Sequence, residues 1–288
     1  MLPTLALFSS LVASAVVCAT DIDAPRRADI EAMLNDFERN NAVWYSLERN
    51  DYAAALELAS PLAERGSAIA MYVMGELRMV GTELDGDPAV AVAWFEQAAA
   101  SWSLPALARL SGIYWTGYAG AKDPVRARQA RIRWANGNAE VSRHYADKTK
   151  PVLFVHRPGE GPQHRYWTER ASYFEAYARL VGRATENTYP VTDPQQVPIG
   201  KLPDTCHPAK PPAAAMAVAK VDRVDGTLTL LTSDSNEILG MVVDGISSQP
   251  LRVAALDVFQ EALRSSRCVT RWPTPARPVQ IPFTFQVY

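Results

Sequence analysis

The chain has 288 residues, of which 48% are hydrophobic and 21% charged, a balance that excludes intrinsic disorder and fits an ordinary globular protein. A net charge of −2 and a pI near 6.1 exclude the basic footprint of a nucleic-acid binder or a reader of anionic lipid. The arginine clusters, Arg126 with Arg128 and Arg131 with Arg133, are expected on the solvated face of a helix.

Leu5 to Ala19 is an unbroken run of apolar or small residues, short of the roughly 20 that a bilayer span needs. Val17-Cys18-Ala19 supplies small residues at the cleavage positions, so residues 1–19 read as a secretory signal, though no Lys or Arg precedes the run. The rival is an uncleaved anchor at residues 2–19, and only that brings membrane contact. Loss of Cys18 leaves Cys206 and Cys268. An even pair in an exported chain favours a disulfide over two unrelated buried thiols. Closing a loop of about 60 residues contributes roughly 4 kcal/mol in the chain-entropy model.

Residues 28–48 carry Ile30, Met33, Leu34, Phe37, Val43, Trp44 and Leu47 at helical spacing and are expected to supply an N-terminal cap. A repeat then begins. Asp51, Asp87 and Asp123 recur at a spacing of 36, as do Ala55 with Ala91, Ala70 with Ala106, and Gly81 with Gly117. A period in the thirties with helical patterning marks an α-solenoid of helix pairs. Asp87-Pro88 and Asp123-Pro124 are placed to open the second helix of a pair. Gly81 and Gly117 are placed to stop the first.

The segment from Ala68 through Met74 and Gly75, with Gly81, Asp87 and Ala91-Val-Ala-Trp-Phe-Glu-Gln-Ala-Ala99, resembles a Sel-like repeat, a relative of the tetratricopeptide repeat. The next copy, Ala106 to Gly117 with Asp123 and Ala127, is looser, with Ser111 and Ala130 where the first has Gly75 and Trp94. The resemblance covers about residues 40–137 and implies a protein-binding superhelix without chemistry of its own. Tyr72, Trp94, Tyr114 and Trp115 are the candidate lining of its groove, against the alternative that they pack one repeat on the next.

Residues 138–200 show no clear repeat. His156 and His164 with Glu160 between them fit no zinc spacing, and Gly159-Glu-Gly161 lacks the Lys-Ser/Thr of a phosphate loop. Tyr166, Tyr173, Phe174, Tyr177 and Val181 follow helical spacing from Arg165 to Arg183, a helix expected to cap the solenoid. Residues 186–212 are proline-rich and read as an extended linker.

From residue 213 the order is strand, strand, helix, strand: Gly226 to Thr232, Ile238 to Val243, Pro250 to Arg267 and Pro282 to Tyr288. Such a unit buries one sheet face. Leu251, Ala255, Val258, Phe259, Ala262 and Leu263 form the core stripe of the helix. Gly226-x-Leu-x-Leu, Asn236, Ala254-Ala255, Ala262, Pro275-Ala276 and Ile281-Pro-Phe-x-Phe285 together resemble the C-terminal domain of TonB proteins. The placement of Cys206 and Cys268 resembles the cysteine-bearing members. Arg252-Val253 departs from the Leu-Asp that usually precedes the double Ala.

The resemblance implies a periplasmic module that engages outer-membrane transporters by strand addition. Ile281, Phe283, Phe285 and Val287 mark the candidate partner-binding strand, which equally serves to close the domain's own core. The fold class is therefore multi-domain, α then α+β: residues 25–185 solenoid, 186–212 linker, 213–288 a small ββαβ unit. The function expected is a periplasmic, non-enzymatic interaction protein with protein partners, possessing no cofactor, no metal and no catalytic residue. The alternatives are a membrane-anchored TonB-type energy transducer and an enzyme using the 156–164 loop. The intact mass of the exported protein is expected to match a chain starting near Thr20, minus the hydrogens lost in one disulfide; a mass retaining residues 1–19 contradicts the signal reading.

Overall fold

The computed structural model describes residues 24–81, 83–147, 164–183, 202, 206–208, 210–233, 237–246, 248–264 and 278–287. Among these, nine helices precede, flank or join a three-stranded antiparallel sheet near the C-terminus. The helices are α1 (Arg27–Glu48), α2 (Tyr52–Glu64), α3 (Ala68–Val80), α4 (Pro88–Ala100), α5 (Leu104–Thr116), α6 (Pro124–Ala146) and α7 (His164–Arg183), then the short α8 (Ala213–Val218) and α9 (Gln249–Arg264). The strands are β1 (Arg223–Thr232), β2 (Ile238–Asp244) and β3 (Pro278–Gln286), in the order β2-β1-β3.

The helix ends fall where the repeated residues stand. Asp51, Asp87 and Asp123 accept hydrogen bonds from first-turn amides of α2, α4 and α6, with Pro88 and Pro124 at the first helical positions. Gly81 and Gly117 close α3 and α5 in the left-handed region, at φ of 72° and 74°. Consecutive helices from α1 to α7 pack on each other, and from α1 to α6 short connections turn each back on the last. Alanines at the contacts, among them Ala55, Ala70, Ala91, Ala106 and Ala127, are wholly buried and allow close approach.

The two repeat copies solve the same contact differently. In the first, a Cβ on Gly75 would lie 2.5 Å from the Phe95 ring, so the ring fills the space that glycine leaves. In the second, Ser111 and Arg131 occupy the corresponding positions and both are fully buried. Arg131 is therefore a core residue, not part of a solvated face, and its guanidinium lies over Trp134 at 5.4 Å.

Helix α1 bends at Asn40, whose side chain donates to Asp36 (2.8 Å). Asp36 in turn accepts from the Ile69 amide (3.0 Å), tying α1 to the start of α3. Its first half reaches α6: Arg27 pairs with Asp147 at 2.5 Å, and Leu34 packs beside Tyr145 and Trp167.

One face of the sheet behaves as the sequence predicts. Leu228, Leu230, Val243, Ile281 and Phe285 join Leu251, Ala255, Leu256 and Phe259 of α9 in one core. Leu202 and Cys206, expected in the linker, are also packed into this core. The opposite face differs from the expectation of a sheet buried on one side. Leu231 and Val242 pack against Tyr173, Phe174 and Tyr177 of α7, in a cluster that also contains Ile132, Ala135 and Ala139 of α6. Helix α7 thus lies between the helical layer and the sheet. Gly240 makes the approach possible, since a Cβ there would sit 3.1 Å from the Tyr173 Cα and 3.3 Å from its ring. Arg170 donates to Asp244 at 2.9 Å beside it.

Gly240→Val is expected to lower stability by about 1–3 kcal/mol through overpacking against helix backbone. Chemical denaturation of the purified protein measures it; an unchanged midpoint contradicts the close approach.

Candidate partner-binding surfaces

The four aromatic groove candidates do not share one groove. Tyr72 stacks on Trp44 with ring centroids 5.5 Å apart and leans on Phe95 at 5.8 Å. Trp94 packs with the α2–α3 core, Tyr114 is buried between α4, α5 and α6, and Trp115 borders two cores. Each serves chiefly as packing between helices, because large apolar rings at helical spacing bury the most area there.

Two of these rings end in polar ties. The Tyr72 hydroxyl meets Glu76, which receives both Nε and Nη2 of Arg109 at 2.6 Å each. The Tyr114 hydroxyl donates to Glu96 at 2.5 Å, and Arg126 donates to the same carboxylate oxygen. Burial, then the neighbouring carboxylate, pushes both phenols above their ordinary range, so both remain protonated donors. Glu76 is nearly inaccessible at 6% exposure, and its fork–fork pairing with Arg109 joins α3 to α5.

The second tie borders a cleft of about 290 Å³ between α4, α5 and α6. Its floor is Leu107, Leu110, Ala99 and Ala130, all buried. Its α6 rim carries Arg126, Gln129 and Arg133 on one helical face. The Arg126 guanidinium lies 4.1 Å over the Tyr114 ring, and that of Arg133 lies 4.6 Å over Trp102. Arg133 also donates to the Ala99 carbonyl at 3.1 Å, near the C-terminal end of α4. A larger hollow of about 440 Å³ lies by α8, with Arg223 and Asp225 on its wall. Those two residues are paired to each other at 3.1 Å.

On β3, Ile281 and Phe285 are core residues, Phe283 packs on Phe259 at 4.8 Å, and Val287 is 38% exposed. Three of the four marked side chains therefore build the domain's own interior. The backbone edge is a separate matter. The Val287 amide donates to Asp222 (2.9 Å), and the β1–β3 register pairs Phe285 with Val224 and Phe283 with Gly226. Antiparallel alternation then directs the peptide groups of residues 279, 281, 283 and 285 to β1, and those of 278, 280, 282, 284 and 286 outward. Positions 278 and 282 are prolines, so the outward edge donates only from Gln280, Thr284 and Gln286. The Thr284 hydroxyl is bonded to Asp225 at 2.6 Å. The Arg223 side chain, then Thr284, holds the Asp225 carboxyl below its usual range.

Cys206 is fully buried and disulfide-bonded. Cys268, its expected partner, lies outside the described residues, as do His156, Glu160 and residues 1–19; of His164 only the backbone, opening α7, is described. Among the described residues no group of three His, Cys, Asp or Glu is placed to hold a metal, and no helix is long and apolar enough to cross a membrane. No family model, curated protein or solved structure matches this chain.

Residue Arg109 tests the inter-helix tie. Arg109→Met is expected to cost about 1–3 kcal/mol, because it removes both arginine donors from the buried Glu76 carboxylate. Adding Glu76→Gln is expected to recover part of the loss. Equal destabilisation by the single and double variants, in urea titrations, contradicts the tie.

Proposed function

We propose that this chain is an exported, non-enzymatic protein-interaction protein: a Sel-like solenoid joined to a TonB-like C-terminal unit that binds envelope or outer-membrane transport proteins in the periplasm. The observation that carries the reading is how the polar groups are used. The carboxylates of Asp51, Asp87 and Asp123 cap helices, those of Glu76 and Glu96 bind arginines between helices, and Asp244 binds Arg170 at the sheet. They stabilise a scaffold that presents shaped surfaces. The surfaces are the α4–α5–α6 cleft and the outward edge of β3, whose three N–H groups support a short ladder with an added strand. Cys206 pairs with Cys268 in this reading.

The anchored energy-transducer reading gains less support. A transducer holds its terminal domain at the end of a long spacer, whereas here the sheet is packed directly on α7.

Photo-crosslinkers placed at Thr284 and at Gln129 in the full chain, expressed with its own leader, test the proposal. A discrete envelope protein is expected in crosslinks from at least one position, with the chain recovered in the periplasmic fraction. Recovery in the cytoplasm, or no crosslink from either position, contradicts it.

A further inference from the structure

We infer that the first half of α1, residues 27–39, is a strap hinged at Asn40 that opens apart from the rest of the fold and bares the rings of Tyr145 and Trp167. The inference is independent of the protein-binding reading, because opening is measured with no partner present.

The hinge is visible in the backbone. Asn40 has φ of −118° and ψ of 17°, outside helical values, so the hydrogen-bond ladder of α1 is interrupted there. Its side chain donates to Asp36, and Asp36 accepts from the Ile69 amide. The pivot is thus fixed to the start of α3, and the two halves of α1 have different surroundings.

The second half is rooted in the repeat core. Val43 is buried with Ala55, Ala59, Ala63, Val73 and Leu77, and Leu47 packs against the same cluster. Trp44 stacks on Tyr72, and across the bend Phe37 meets Trp44 edge-on at 6.1 Å.

The first half leans instead on the far end of α6 and on α7. Ile30 is fully buried, and Leu34 packs on the small cluster of Tyr145, Ala146 and Trp167, which Val141 and Val253 of α9 border. Burial, then the charge of Glu38 one turn beyond Leu34, pushes the Tyr145 phenol above its ordinary range. The strap therefore runs beside that ring. Among the described residues, Arg27 reaches Asp147 at 2.5 Å, and Glu31 approaches His144 more loosely at 3.9 Å. Arg27 is half-exposed, and ion pairs so placed hold helices together only weakly.

The imbalance defines the device. The first half is held by two aliphatic side chains and exposed charges, whereas the second is held by a shared core. A free helix of the strap's length is marginal in water, so the opened strap frays and its amides exchange. Opening uncovers Tyr145 and Trp167, whose ring centroids lie 4.8 Å apart where α1, α6, α7 and α9 meet. Any ligand of that face must displace Leu34, so its affinity scales with the open fraction. The strap is a competitor built into the chain.

Hydrogen-exchange mass spectrometry of the purified chain in native buffer, read with overlapping peptides, tests the device. Amides of residues 31–38 are expected to exchange at least about tenfold faster than those of 42–48, with the step at Asn40. Arg27→Gln is expected to speed the strap by about threefold. Leu34→Ala is expected to speed it by about tenfold. Both leave residues 42–48 unchanged. Hydroxyl-radical labelling of Tyr145 and Trp167 is expected to rise about twofold in Arg27→Gln, with Phe95 unchanged as the internal reference. A smooth gradient along α1 without a step overturns the inference, as do substitutions that speed both halves alike. Ring labelling that ignores Arg27→Gln also overturns it.

Discussion

The packing of the helical layer on the sheet centres on the contact between Tyr173 and Gly240. Helix α7 lies close enough to β2 only because residue 240 has no side chain, and the space is taken by the Tyr173 backbone and ring. Burial holds that phenol protonated, and Arg170 pairs with Asp244 at the edge of the same contact. On its other side α7 packs against Ile132, Ala135 and Ala139 of α6. One helix therefore contributes apolar surface to two layers, and the hydrophobic core runs from the helical array into the sheet without a break.

This continuity shapes what the molecule can present. The inner sheet face is closed by α9 and part of the outer face by α7, so side-chain recognition by the sheet is confined to the β3 half, with Asp225, Pro282, Thr284 and Gln286 exposed. Prolines at 278 and 282 thin the hydrogen-bonding edge there, a device that also suppresses unwanted strand pairing. The helical layer, by contrast, offers a cleft whose cationic rim is pre-positioned by aromatic stacking.

Much of the architecture was legible in the sequence because its signals are local. Asp-Pro pairs and terminal glycines mark helix ends through caps that act within a few residues, and they stand where the helices begin and stop. The strand–strand–helix–strand order came from period-two and helical patterning in the same way. What escaped was long-range. Buried residues of α7 (Trp167, Ala171, Tyr173, Phe174, Tyr177, Val181) point in more directions than one stripe allows, a sign of burial on two sides. That pattern does not name the second partner. Arg131 escaped for a related reason: its position repeats that of Phe95, and only packing reveals that an arginine fills a core site. The cleft escaped too, since Glu96, Leu107 and Arg133 come together only when three helices stack.

The central claim is that α7 makes one cooperative body of the helical layer and the sheet. Hydrogen-exchange mass spectrometry of the full chain across a denaturant series tests it most directly. Peptides from α5–α6 and from β1–β2 are predicted to lose protection together, at one common opening free energy. Sheet peptides that stay protected after α5, α6 and α7 have exchanged would contradict the claim.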